Sequence, residues 1–198
     1  MKVAMYAPVG ENSEIATYSE NLTIALQKLP FLEVVTVPIL VGKQSLAHYV
    51  EVAEKLNSDD IDLIHLQHEP YFWGEITPDG SAFWQMRYLL KKPLVLTAHN
   101  TSSLAEMLRK KEKRTPLERL HAEWLIRKKA YRDSVEIAPY ATALTIVHSE
   151  AERDVLLSRG AKPNYVAIIL PSQEMNRVAR LTRNVYTRAI ELFSPGNW

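Results

Sequence analysis

The chain has 198 residues, 46% of them hydrophobic, and a formal net charge of +1. That length suits one large domain or two very small ones, with enough apolar content for a core that needs no covalent staples. The absence of cysteine excludes a disulfide scaffold, a thiolate zinc site and a cysteine nucleophile, and it fits a reducing compartment.

In chain order, the opening run Met1 to Pro8 is too short and too little flanked to read as a signal peptide. No later apolar run approaches the ~20 residues of a membrane span. The expectation is a soluble, cytoplasmic protein. Strands are expected at Lys2 to Ala7, Leu32 to Val37, Ile61 to Gln67, Leu94 to His99, Ala143 to Val147 and Tyr165 to Ile169. Helical patterns lie between them, near 15–29, 45–57, 79–90, 116–137 and 149–158, with a last one near 174–193. Short, continuously apolar strands alternating with helices predict right-handed crossovers. The fold class expected is therefore α/β: a Rossmann-like, doubly wound, mainly parallel sheet of about six strands with helices on both faces.

Some helix starts are marked locally. Ser13 can cap the first helix, with Glu14 following it. Thr115-Pro116-Leu117-Glu118 and Ser149-Glu150-Ala151-Glu152 both carry the pattern of a capping box. Leu117, Leu120, Trp124, Tyr131 and Val135 recur at helical spacing and are expected in the core. Around them, residues 109–132 hold ten Lys or Arg and three Glu, a balance of +7 that leaves −6 for the remainder. Such a stretch is either a solvated face or a surface for peripheral contact with an anionic membrane. Nothing in the chain points to nucleic acid.

Ligands of doubly wound sheets bind beyond the carboxyl ends of the strands, where strand order reverses. Beyond the first strand stand Glu11, Ser13 and Glu14; beyond the third, His68, Glu69 and Trp73; beyond the fourth, His99, Asn100 and Thr101; beyond the fifth, His148 and Ser149. Polar and aromatic groups thus gather on one edge. His99 can polarise or orient a hydroxyl there, or simply cap its strand. His65 and His68 point to opposite faces of a strand, so no shared metal is expected. The six glycines, at 10, 42, 74, 80, 160 and 196, form no Gly-x-Gly, which excludes the usual dinucleotide fingerprint and the Walker loop. No cofactor is expected.

Four segments together resemble the N-terminal domain of family-4 glycosyltransferases, which have the GT-B fold. They are Met1 to Leu29, with Ile15-Ala16-Thr17-Tyr18-Ser19-Glu20-Asn21-Leu22; Asp62 to Glu69; Pro93 to Asn100; and Ile146 to Leu157, followed by Gly160-Ala161. The resemblance covers residues 1 to about 170. It implies that His99 faces the transferred sugar as the catalytic residue, and that His68, Glu69, Asn100 and Ser149 line the cleft.

Two departures qualify what the resemblance implies. The family's Gly-Gly pair before the first helix is replaced by Ser13-Glu14-Ile15, which fills a place meant for the donor's phosphates. The family's donor site uses two glutamates eight residues apart in a C-terminal domain, and no such pair occurs here. Residues 172–198 resemble the family's terminal helix, with Met175, Val178, Val185, Ala189 and Leu192 as an apolar stripe for packing back on the 1–171 domain. The expectation is an acceptor-binding half that handles a sugar or glycan acceptor, is inactive alone, and works in hexosyl transfer from a nucleotide sugar with a separate donor-domain chain or by self-association. The alternative is a catalytically inactive binding or scaffold protein derived from such an enzyme; a flavodoxin-like binding protein is a third reading.

Overall fold

The computed structural model describes residues 1–10, 13–42, 45–73, 82–103, 105–106, 115–128, 140, 143–171 and 173–193. Six strands form one sheet: β1 (Lys2–Pro8), β2 (Glu33–Ile39), β3 (Leu63–His68), β4 (Leu94–Ala98), β5 (Leu144–Val147) and β6 (Val166–Ile168). Their order is β2-β1-β3-β4-β5-β6, and every neighbouring pair is parallel. β1, β3, β4 and β5 are almost wholly buried, as continuous apolar runs covered on both faces should be. The expected Rossmann-like, doubly wound α/β architecture is the one observed. Strand order reverses between β1 and β3, so the loops after these two strands flank the crevice where such sheets bind ligands.

Helices α1 (Glu14–Gln27), α2 (Leu46–Leu56), α3 (Ala82–Leu89), α4 (Pro116–Arg127), α5 (Glu150–Ser158) and α6 (Met175–Phe193) occupy the crossovers and the C-terminal segment. The two-residue alternation of each strand divides the core. On one face Val3, Met5, Leu63, Val95, Leu144 and Ile146 meet Leu22 and Leu26 of α1 and Val178, Tyr186 and Ala189 of α6. On the other, Ala4, Tyr6, Ile64, Leu66 and Leu96 meet Tyr49 and Leu56 of α2, Met86 of α3 and Leu156 of α5.

α6 is a structural layer. Its Val178, Ala179, Thr182, Tyr186 and Ala189 are sealed from solvent, while Arg177, Arg180 and Arg188 face outward. Phe193 adds an edge-on contact with Tyr165 at 5.4 Å between ring centres. Met175 and Leu192 are only half-buried, so the apolar stripe is narrower at its ends than its spacing predicts.

α4 departs most from expectation. Its start is as predicted: Thr115 caps Glu118, whose carboxylate returns to the Thr115 backbone, with Pro116 at the first position. Yet Leu117, Leu120 and Trp124 are 79%, 71% and 46% exposed, and the helix rests on Ala122 and Leu125 instead. The apolar period is real, but it faces outward. The helix also stops at Arg127, because Lys128 takes an extended backbone that cannot continue the hydrogen-bond ladder. Tyr131 and Val135 lie outside the described residues. At the last strand, Pro163–Tyr165 forms a 3-10 turn, which shortens β6 to Val166–Ile168.

Candidate functional site

The carboxyl edge of the sheet brings three rings together. His99 follows β4 and His148 follows β5, and their ring centres are 5.2 Å apart. Tyr18, one turn into α1, meets both rings in near-perpendicular contacts, at 5.6 and 5.5 Å. Both histidines are half-buried. They share this face because His99 lies two residues beyond Thr97, and successive side chains of a strand alternate.

Beneath the rings runs a chain of buried polar side chains. His65 and Gln67 stand two apart on β3, and register sets Gln67 beside Thr97 of β4. Gln67 Oε1 and His99 Nε2 are 2.7 Å apart. An amide oxygen only accepts, so His99 Nε2 carries the proton and donates it, leaving Nδ1 with the lone pair. Gln67 Nε2, which only donates, lies 3.3 Å from His65 Nε2. That nitrogen of His65 therefore accepts, also from the Thr97 hydroxyl at 2.7 Å. The His65 proton is then on Nδ1, which donates to Tyr186 Oη of α6 at 2.6 Å. The terminal helix thus reaches the His99 ring through Tyr186, His65 and Gln67.

Burial holds this chain neutral. It pushes His65 down to about 3 and His99 to about 3, the latter helped by the neighbouring His148, His65 and His68. Burial likewise raises Tyr18 to about 12 and Tyr186 well above its ordinary value. Near neutral pH His99 is an uncharged ring with a lone pair on Nδ1. It suits accepting a hydrogen bond from a hydroxyl better than carrying a proton, since a base that weak is poorly matched to neutral pH.

The other residues of the edge separate into distinct surroundings. His68 points to the opposite face and is buried, with its Nδ1 accepting from Trp73 Nε1 at 3.1 Å. Its ring stacks on Trp73 and meets the edge of Tyr140. Burial pushes it down to about 3. His68 and Trp73 are thus packed core groups and do not line an open cleft: the short turn Pro70–Trp73 folds the indole back over its own strand. Asn100 donates to Glu69 Oε1 at 3.2 Å and accepts from the Ser102 backbone at 2.8 Å, fixing the loop after β4. Thr101 faces an open depression of about 830 Å³, shared with Ser102, Ser103 and Glu106 on one side and Val155, Ser158 and Arg159 on the other.

The helix starts flanking the edge each carry a side-chain cap. Ser13 accepts from Ala16 N at 3.1 Å, and Glu14 stands exposed in the first turn of α1. Ser149 accepts from Glu152 N, while Glu152 reaches past it to the His148 backbone at 2.8 Å. His148 Nδ1 donates to Ile169 O at 2.9 Å. Glu11 lies outside the described residues. Among the described residues, no group of three His, Asp or Glu is arranged to hold a metal ion, and no helix is long and apolar enough to cross a membrane.

Sequence reasoning weighed His65 only as a metal ligand, and it did not single out Tyr18, Gln67, Thr97 or Tyr186 as site residues. The available signal was polarity inside strands otherwise wholly apolar, since buried polar groups are the informative ones. His65 and Gln67 at period two, opposite Thr97, were legible as a polar line across one face.

No family model matches the chain, and no curated protein matches it. Among solved structures it is similar to a LacI-family transcriptional regulator, CCPA, from Weissella paramesenteroides with bound glucose. The identity is 9% and the TM-score 0.39, over 94% of this chain and 91% of that one. At that score no ligand or activity passes from one protein to the other.

Proposed function

We propose that this chain is the acceptor-binding side of a sugar transferase, working with a donor-binding chain. The observation that carries the reading is His99: an uncharged, half-buried imidazole at the carboxyl edge, with Nδ1 holding a lone pair. A hydroxyl-rich acceptor offers the donors that such an atom receives, and the Asn100–Glu69 pair supplies further amide and carboxylate groups nearby. The occupied N-terminus of α1 fits a division of labour. Ser13 and Glu14 stand where free N–H groups would otherwise draw a phosphate, and Glu14 adds a repelling charge.

The same α1 start favours a second reading, a binding or scaffold protein without catalysis. NMR titration of the isolated chain separates the proposal from its failure. A saccharide acceptor should move the imidazole signals of His99 and His148, and UDP- or GDP-sugars should not bind tighter than about millimolar, near −4 kcal/mol. Micromolar binding of a nucleotide sugar, or a panel of saccharides that leaves both histidines unmoved, overturns the acceptor reading.

A further inference from the structure

The outward stripe on α4 has an environment that says what covers it. At about 100° per residue, Leu117, Leu120 and Trp124 fall within a sector of roughly 60°, opposite the side on which Ala122 and Leu125 hold the helix to the protein. The Lys128 ammonium lies 4.2 Å from the centre of the Trp124 ring, and the His121 ring lies 5.6 Å from it. In the sequence, residues 109–114 before the helix contain five basic residues and one acidic, and 127–132 after it contain four basic and none acidic. The rest of the chain, outside 109–132, is acidic by six charges.

We propose that α4 is an interfacial helix that seats on an anionic lipid surface, with Leu120 and Trp124 at the headgroup boundary. The inference is independent of the proposed sugar chemistry. An apolar stripe of leucine and tryptophan flanked by lysine and arginine is the composition of helices that lie in the membrane plane. Tryptophan prefers that boundary because one side of the ring is apolar and its N–H stays wet. The area argues in the same direction. Three side chains on a convex helix offer a few hundred Å², against about 800 Å² per partner for a stable protein interface. A lipid surface needs no comparable area, because each basic side chain near anionic headgroups adds to the attraction.

The test uses the full chain with sedimenting vesicles of phosphatidylcholine, with or without an equal share of phosphatidylglycerol, at low and high salt. The expected result is binding to the anionic vesicles alone, weakened by salt. Leu120→Gln with Trp124→Gln should lower that binding at least about tenfold, as loss of the inserted apolar groups requires. Arg127→Glu with Lys128→Glu should lower it and flatten its salt dependence. Both pairs are on an exposed face, so circular dichroism and the melting temperature should stay as in the parent chain. Failure to bind anionic vesicles, or equal binding by the Leu120/Trp124 variant, overturns the proposal. So does a variant that changes the oligomeric state by light scattering while vesicle binding persists, since the stripe would then be a protein contact.

Discussion

Tyr186→Phe removes one oxygen from the buried chain that ends at His99, and its consequence can be worked out from the hydrogen bonds. Tyr186 is fully buried, and its hydroxyl receives the His65 Nδ1 proton at 2.6 Å. Phenylalanine keeps the ring but leaves that N–H without an acceptor in a site closed to water. A buried donor so stranded costs about 1–3 kcal/mol. For a chain of this length that lowers the melting temperature by roughly 2–12 °C. The one escape is for His65 to move its proton to Nε2. Thr97 must then accept, the Gln67 amide must turn over, and His99 Nε2 faces an N–H where it had an oxygen. His99 would pass to its other tautomer. The assay is a thermal melt beside long-range ¹H–¹⁵N correlation of the imidazoles, which distinguishes the two tautomers. The chain predicts either the lower melting temperature with tautomers unchanged or a switched His99. An unchanged melt together with unchanged imidazole spectra refutes the coupling of α6 to His99.

Three further outcomes follow from the same structure. His65, His68 and His99 fall from 6.5 to about 3 on folding, so the unfolded chain binds more protons, and stability present above pH 6.5 is lost as pH falls toward 3. Each contributes at most about 1.4 kcal/mol per pH unit, so urea midpoints should drop clearly between pH 7 and 5.5, and a flat profile over that range contradicts neutral burial. Deleting the segment from residue 172 onward uncovers the surface under Val178, Val185 and Tyr186, worth about 1.5–3 kcal/mol for each buried side chain, and should leave an insoluble or barely folded protein; an unchanged melting temperature would show that α6 is a detachable arm. Ser13→Ala should cost about 0.5–2 kcal/mol through the lost α1 cap, read by chemical unfolding, and a loss below that range would mean that water caps Ala16 N as well as the hydroxyl does.

The fold was largely legible in the sequence because its strands are short, apolar and separated by capped helices, so period and punctuation agree. Ser13, Thr115 and Ser149 cap where they were expected, since a cap depends on residues within one turn. Burial was less legible. Periodicity shows that a helix has an apolar side, but not which way that side turns. Leu117, Leu120 and Trp124 fit a core stripe by spacing and are exposed because Ala122 and Leu125 were enough to attach α4. The edge of the sheet was legible as a place, but not in detail. Residues adjacent in sequence at a strand end face opposite ways, so His68 went into the core with Trp73 while His99 and His148 converged on Tyr18. Tyr186 lies 121 positions from His65, and no local pattern reports a partner at that distance.

These placements constrain the chemistry available at the edge. His99 is held by Gln67 in one tautomer, kept uncharged by burial, and linked through His65 to a helix that contributes to the core. A ring prepared in this way can fix the direction of an incoming hydroxyl, because its lone pair does not reorient and does not protonate near neutral pH. It cannot supply the driving force of a strong base. On the proposed reading, a transfer that uses His99 takes its activation from the leaving group of a donor, and His99 contributes orientation, the part of catalysis that positioned groups provide. The start of α1, where Ser13 caps Ala16 N and Glu14 adds a negative charge, agrees with the proposal that another chain holds a donor's diphosphate. On the proposed reading, this edge serves the acceptor and a separate chain holds the donor.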